Sequence, residues 1–496
     1  MNDALQNSVQ PISPEAKALL RGLARKQAFG VCFALMAGLL LRLWWVWKYG
    51  QVTYDSHVYG EFARSVIEHH VYGYLDADHG ATVVPTLIRL PGYPAFLGLC
   101  FKIFGMENYT AVMVVQSVMD VWTCLLVAGL SARVFGQRAG IAALWLSTLC
   151  PFTANYVAVP LTEQQTLFCI ALAFYALVRW KESGAGINRW LFVIGFALAY
   201  AIQLRPEQGM LAAAVVPAMI WIAIRAKGIR SAMRSATLVS VLTLLPLVPW
   251  TIRNWQVFHE FQPLVPKYAV DPGEPNPDGF QRWYRTWAVE FASTESIYWP
   301  YMGEPIDIAD LPNRAFDSNA QYAATQRVFD DYNEGYESTP EVDSQFNQIA
   351  LERIHADAVR YYLALPAARV VNMMFRPRTE MIAVPLEWWK FRESKSGCWF
   401  AVAYGVLNAA FFAAAGWTIW RRQLWQQENA LVTAMLATIA MRALLLLTID
   451  NSEPRYTLEF FPVLIVLASA SVAYLQGLPS ILKGDLSTSL FRRTLE

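Results

Sequence analysis

Phe29–Trp47 reads FGVCFALMAGLLLRLWWVW, a run with a single charge, Arg42. About 20 residues of this kind, wound as a helix, cross the ~30 Å hydrocarbon core of a bilayer. The run has no small-residue cleavage site after it, so it is predicted to stay as an anchor rather than leave as a signal peptide. It leads almost directly into Gln51–Tyr59, QVTYDSHVY. A chain that has just left a membrane thus presents an aspartate, a histidine and two tyrosines at the exit.

The rest of the chain repeats the first signal. Of 496 residues, 55% are hydrophobic, 16% are charged and 19 are tryptophan. A soluble protein would carry about 25% charge. Apolar segments fall at 27–47, 88–104, 109–131, 139–157, 163–180, 190–204, 207–225, 235–250, 398–420, 429–448 and 457–477. The predicted fold is an all-α polytopic membrane protein, a bundle of about ten or eleven transmembrane helices with an extracytoplasmic loop domain. Net charge is +1, so only the distribution of charge is informative. The six cysteines lie in or beside apolar segments without metal-ligand spacing, which suits small hydrophobes in helices.

Basic residues sort the connections. Lys17, Arg21, Arg25 and Lys26 precede the first span and hold that end in the cytoplasm by the positive-inside rule. Arg133 and Arg138, then Arg179, Lys181 and Arg189, then Arg225, Lys227, Arg230 and Arg234, then Arg421 and Arg422, and finally Lys483, Arg492 and Arg493 mark further cytoplasmic connections. Residues 254–365 hold 18 acids against 7 bases and are placed outside. The parity closes if 88–104, short and broken by RLPGYP, is re-entrant. The resulting domains are a cytoplasmic tail 1–26, an N-terminal membrane module 27–250 with a first outer loop 48–87, a loop domain 251–397, C-terminal helices 398–477 and a tail 478–496. On this topology the acids and arginines at membrane ends gather on one side.

Each of these residues has an ordinary structural reading. Asp55 suits a helix N-cap, ahead of the helical pattern His57–His70, HVYGEFARSVIEHH. Glu163, in LTEQQTLF, suits the N-terminus of the span it opens. Arg205 and Glu207, flanking Pro206, suit a local ion pair. Arg253, Arg455 and Arg89 suit contacts with headgroups. His57 suits the surface, and Tyr54, Tyr59 and Tyr93 suit an interfacial aromatic belt. Arg376 and Arg378, in MMFRPRTEM, read as headgroup contacts of an interfacial segment. Three arginines and three carboxylates on one face are less readily explained together, because ionisable groups at a membrane are functional candidates by default.

In order along the chain, the stretches DSHVY (55–59), RLPGYPAFLGLCFKIFG (89–105), LTEQQTLF (161–168), LRPE (204–207), PWTIRN (249–254) and EPRYTLEFFPVL (453–464) resemble membrane glycosyltransferases of the C superfamily. The branch is that of protein O-mannosyltransferase-like and aminoarabinose lipid A transferase-like enzymes. The resemblance implies a polyprenyl-phosphate-linked sugar donor and transfer outside the cytoplasm with inversion; the location is assigned to a bacterial inner membrane, with an archaeal membrane or the endoplasmic reticulum as alternatives. It implies Asp55 as the base, with Glu163 as a second catalytic acid. Arg205, Arg253 and Arg455 would serve the donor phosphate, with Arg89, Tyr59, Tyr93, Glu207, Glu453 and Tyr456 completing the substrate site. Many relatives carry Asp where Glu163 sits, which leaves its role open. No cofactor is assigned: Asp55, Glu163 and His57 are able metal ligands, but their spacing fits no compact metal motif. The acceptor, whether lipid, glycan or protein, is not read from the sequence, and nucleic acid is not a partner.

Two other classes compete. A lipid-linked sugar flippase or other transporter places charges near the midplane, often in repeated halves; here only Arg42 and Arg442 are prominent charges inside spans. A polysaccharide ligase or polymerase would share the outer arginines but activate its acceptor from the long loop rather than from Asp55. A scaffold gives no reason for the one-sided charges.

Overall fold

The computed structural model describes residues 14–76, 82–266, 268–426 and 428–482. Residues 1–13 and 483–496 of the expected tails, with Arg492 and Arg493, lie outside the described residues. The chain is a helical membrane bundle carrying a smaller helical domain, and each predicted apolar segment is helical for most of its length. The first helix runs Pro14–Tyr49 and so starts well before the predicted span. Among the described residues, six stretches are long and apolar enough to cross a membrane, or seven if the bent pair Gln137–Thr148 and Pro151–Ala158 is one span. Three more apolar helices, Gly92–Phe104, Arg189–Leu204 and Ala430–Leu446, are shorter. Glu163–Glu182 is a further helix of 20 residues, buried along most of its length.

The last helix, Phe461–Leu482, is central. In the spanning window that includes it, 78% of residues are buried, against 22–44% for the other long spans. Its sequence is apolar all round, as suits a helix enclosed by others. Its small residues let neighbours approach closely: Ser469 meets Ser131 at 2.7 Å and Ser471 meets Thr418 at 2.6 Å.

Inside the bundle, Arg42 is fully buried and finds a partner that the sequence reading did not name. Its Nε donates to Asp120 at 2.6 Å, and Nη1 donates to the Gly38 and Thr148 carbonyls at 2.9 and 2.8 Å. Charged side chains meet at both ends of the bundle. At one end Arg133 pairs with Glu182 and Arg225 with Glu428. At the other, the connections around Asp55, Glu163, Arg205 and Arg455 meet.

RLPGYP marks a helix start. Pro91 caps Gly92–Phe104, and the helix begins hard against its neighbour: a Cβ on Gly92 would lie 2.5 Å from the Gln203 carbonyl oxygen. Among the described residues, the strands are those of one small antiparallel hairpin, Gly73–Asp76 with Thr82–Pro85. Within the loop domain, helices Asp278–Arg285, Asn319–Asn333 and Pro340–Ala356 enclose an aromatic core of Phe280, Trp283, Tyr284, Trp287, Phe329, Tyr332 and Phe346. This domain is tied to the connection before the last helix by Arg285–Asp450 at 3.2 Å and by Ser452 N–H donating to the Thr294 hydroxyl at 3.2 Å.

Breaking one side of a buried ion pair leaves an uncompensated charge, at a cost of about 3–5 kcal/mol, whereas replacing both sides by apolar residues is far milder. Arg42→Met and Asp120→Leu, singly, are therefore expected to lower the thermal stability of the purified protein sharply. The double variant should recover part of that loss; a double variant as unstable as the sum of both singles would contradict the pairing argument.

Candidate active site

The helix after the first exit runs Tyr54–His69. Its cap is Thr53, not Asp55: the Thr53 hydroxyl accepts from Ser56 N–H at 3.4 Å, and Ser56 Oγ accepts from Thr53 N–H at 3.3 Å. This reciprocal cap satisfies the helix end and leaves the Asp55 carboxylate free. Oδ2 of Asp55 accepts from Arg455 Nη1 at 2.9 Å, and Oδ1 lies 3.7 Å from Arg89 Nη2. Burial alone would push this carboxyl up, but Arg455 and Arg89 outweigh it and hold Asp55 below the usual carboxylate range.

Arg455 stands on a seven-residue 3₁₀ segment, Pro454–Phe460, continuous with the central helix. Glu453 precedes it, is buried and also pairs with Arg455. Glu453 accepts from Tyr456 Oη at 2.8 Å and from Asn451 Nδ2 at 2.9 Å. The stretch EPRY therefore builds much of its own network.

A second charge cluster lies beside the first. Arg205 Nη2 donates to Glu163 at 2.6 Å, Nη1 to Glu459 at 3.2 Å and Nε to the Thr162 hydroxyl at 2.8 Å. Arg442 meets Glu459 at 3.0 Å and Glu207 at 3.3 Å, and its Nη2 donates to the Tyr456 carbonyl at 3.0 Å. Gln208 also bonds Glu459. Five charged groups from four segments thus share one buried network.

A cavity of about 640 Å³ opens beside Asp55, a size that suits a small organic ligand. Asp55, Glu453 and Arg455 line it, with Tyr54 and Thr53 from the first exit and Val159 and Leu161 from another connection. Phe291, Tyr298 and Trp299 come from the loop domain, and Tyr156, Glu380 and Met381 complete the wall. Of the residues singled out from sequence, Asp55, Glu453 and Arg455 are brought together at this cavity. Arg89 stands behind Asp55. Glu163, Arg205 and Glu207 belong to the adjoining buried cluster, and Tyr456 joins both networks. Tyr93 is fully buried and donates to Gln116 at 2.8 Å, with Tyr59 packed on its ring at 5.1 Å. Arg253 is engaged elsewhere: it donates to the Tyr72 and Thr86 carbonyls at 2.7 and 2.8 Å and stacks on Trp250, bracing the hairpin. His57 is exposed against Tyr109.

The sequence reading missed several members of the wall. Tyr156 donates to Glu380 at 2.7 Å, and Glu295 faces the cavity from the loop domain. Burial pushes the Glu295 carboxyl up, in part offset by Arg376. Glu295 lies mid-loop in a stretch without a recognisable pattern, and Glu380 lies in MMFRPRTEM, where only the two arginines drew attention. Arg376 and Arg378 are buried, not at headgroups. Among the described residues, no three His, Cys, Asp or Glu side chains are grouped to hold a metal ion.

Comparison with known proteins agrees with the motifs. Residues 85–252 match the family described as dolichyl-phosphate-mannose-protein mannosyltransferase, and the resemblance read from sequence is borne out over that segment. No curated protein matches the chain. Among solved structures, the oligosaccharyltransferase of Archaeoglobus fulgidus, tethered with an acceptor peptide, is similar at 12% identity and a TM-score of 0.49, over 93% of this chain and 51% of that one. The Archaeoglobus fulgidus AglB complex with an inhibitory peptide and a dolichol-phosphate is similar at 12% identity and a TM-score of 0.46, over 93% and 52%. ArnT from Cupriavidus metallidurans, bound to undecaprenyl phosphate, is similar at 14% identity and a TM-score of 0.36, over 90% and 77%. The chain spans about half the length of the archaeal enzyme.

Because Glu163 is enclosed by Arg205 and Thr162, substitution there should act mainly through the fold. Glu163→Ala is expected to lower the melting temperature more than Glu163→Gln, which keeps hydrogen-bonding atoms near Arg205. Thermal unfolding of both variants, compared with wild type, checks this; two unperturbed melting curves would show that the cluster is not structural.

Proposed function

We propose that this protein is an integral membrane glycosyltransferase that moves a sugar from a polyprenyl-phosphate donor to an acceptor with inversion. We place it in a bacterial inner membrane, with its site on the extracytoplasmic face, the side that the charge pattern of the connections suggests. The observation that carries the reading is the pairing of Asp55 with Arg455, 400 residues apart, in the wall of one cavity. The family match over 85–252 supports the same class.

In the proposed reaction the acceptor hydroxyl or amine attacks the anomeric carbon while Asp55 removes its proton. The bond from that carbon to the phosphate oxygen breaks, and the electron pair leaves with the polyprenyl phosphate. Charge therefore grows on the phosphate during the reaction. A guanidinium fixed in advance stabilises it, because it stays cationic and binds phosphate oxygens in bidentate fashion. In the resting site Asp55 and Glu453 occupy Arg455. An incoming phosphate would take Arg455 over and release Asp55 as a stronger base. Arg89 and the Arg205–Arg442 cluster would add positive field behind it, and the aromatic side chains of the loop domain would cover the sugar.

The direct test incubates the purified protein in nanodiscs with a panel of polyprenyl-phosphate sugars and measures free polyprenyl phosphate. Removal of a general base typically costs about 10²–10⁴-fold. Asp55→Asn is expected to lose transfer on that scale while inserting normally, and near-normal turnover would remove Asp55 as the base. Arg455→Ala should lower kcat/KM for donor, and a donor titration matching wild type would remove the phosphate clamp.

The pH dependence follows from the same exchange. In the free protein Asp55 is held ionised, so kcat/KM should stay level as pH falls until below the ordinary Asp value of about 3.9. In the donor complex Arg455 is shared with phosphate, so the acid limb of kcat should lie at higher pH than that of kcat/KM. Coincident limbs would argue against the exchange.

A further inference from the structure

Arg378, in Met373–Met381 (MMFRPRTEM), takes no part in the reaction proposed above, yet its side chain is 0% exposed. Its guanidinium spends each nitrogen on a different partner. Nη1 donates to the Pro454 carbonyl at 3.0 Å, Nη2 donates to the Thr457 hydroxyl, and Nε donates to Asn408 Oδ1 at 3.2 Å. The group also lies 5.1 Å over the Phe461 ring. Pro454 and Thr457 flank Arg455 on its own segment. Asn408 in turn donates to the Met374 carbonyl at 2.7 Å, which closes the loop back on itself.

Two features make this more than packing. The 3₁₀ segment that carries Arg455 has seven residues, whereas such helices seldom exceed 3–4 because their hydrogen bonds are poorly aligned. It needs bracing from outside. Among the described residues, moreover, Arg378 forms no ion pair, so a cation is buried on carbonyl, amide and hydroxyl partners and the Phe461 and Phe152 rings. An apolar residue of similar volume would often serve packing as well or better. What such a residue could not do is grip both sides of Arg455 while carrying Glu380 and Met381, two and three residues on, into the cavity wall.

We infer that Arg378 is a positioning residue: it locks the segment Pro454–Thr457 so that Arg455 points at Asp55 and the cavity. The catalytic meaning of that alignment rests on the function proposed above; the alignment itself does not. The charged and titratable groups facing Asp55 are Arg455 and Glu453 on the braced segment, Arg89 before helix Gly92–Phe104, Tyr59 on its own helix, and Arg205 farther off. Of these, Arg378 touches only the segment of Arg455 and Glu453.

The test uses the full chain in nanodiscs. The Asp55 carboxylate is titrated by infrared difference spectroscopy, with Asp55→Asn as the reference that identifies its band, and donor turnover is measured on the same samples. In Arg378→Gln, Arg455 loses its brace, so Asp55 should titrate at higher pH than in wild type. Misplacement on the order of 1 Å should also cost turnover about 10²-fold. Arg378→Lys should restore part of both, and Thr457→Val should shift Asp55 the same way by less. Unchanged Asp55 titration in Arg378→Gln and Thr457→Val overturns the inference, whatever happens to activity. If Arg378→Gln does not fold, Thr457→Val decides alone. If wild type turns over none of the donors, the proposed function fails, while the titration still decides the role of Arg378.

Discussion

A guanidinium cannot shed its proton at any accessible pH, so an arginine near hydrocarbon has to be met by carboxylates or carbonyls. This single constraint organises the molecule. Arg42 is answered by Asp120 and two carbonyls deep in the bundle. Arg205 and Arg442 are answered by Glu163, Glu207 and Glu459, Arg378 by neutral acceptors, and Arg455 by Asp55 and Glu453. Each pairing ties segments distant in sequence, and together they fix how the helix ends meet.

The pairings differ in what they leave open. Arg42 and Asp120 are sealed, satisfied and remote from the cavity, which gives no footing to a transport path built on midplane charge. The Arg205–Arg442 network is closed on itself and holds the helix starts around Pro206 and Phe461. The Asp55–Arg455 contact borders the large cavity, with side chains about one quarter exposed. A bond that is both strong and accessible is one that an anionic ligand can enter. The capping box at Thr53 and Ser56 matters for the same reason: it relieves Asp55 of the duty that its position in the helix would otherwise impose.

Much of this was legible in the sequence. Apolar run lengths gave the helices, because they depend on local composition against a fixed solvent. DSHVY and EPRYTLEF stood out because charges immediately beside spans are costly unless used. What could not be read depended on long-range contact. Asp120 sits in an otherwise ordinary span and becomes intelligible only as the partner of Arg42. Glu163 and Arg253 looked like Asp55 and Arg455 in placement, yet one is enclosed by Arg205 and the other braces a hairpin. Glu295 and Glu380 come from a loop without periodicity, where only the folded aromatic core decides what faces the cavity. Arg376 and Arg378 looked interfacial because they sit near the loop's return to the membrane; Arg378 is buried against Pro454 and Thr457, and Arg376 lies over the Phe291 ring.

The separation of Asp55 from Arg455 bears on biogenesis. A ribosome working from the amino end would deliver the acid early and its cation only after nearly every helix had been threaded into the bilayer. Until the closing helix docked, the growing chain would hold a half-built, unneutralised pocket. Fragments lacking that helix and the Pro454–Phe460 segment leading into it would therefore leave Asp55 without Arg455, and Arg205 and Arg442 without Glu459.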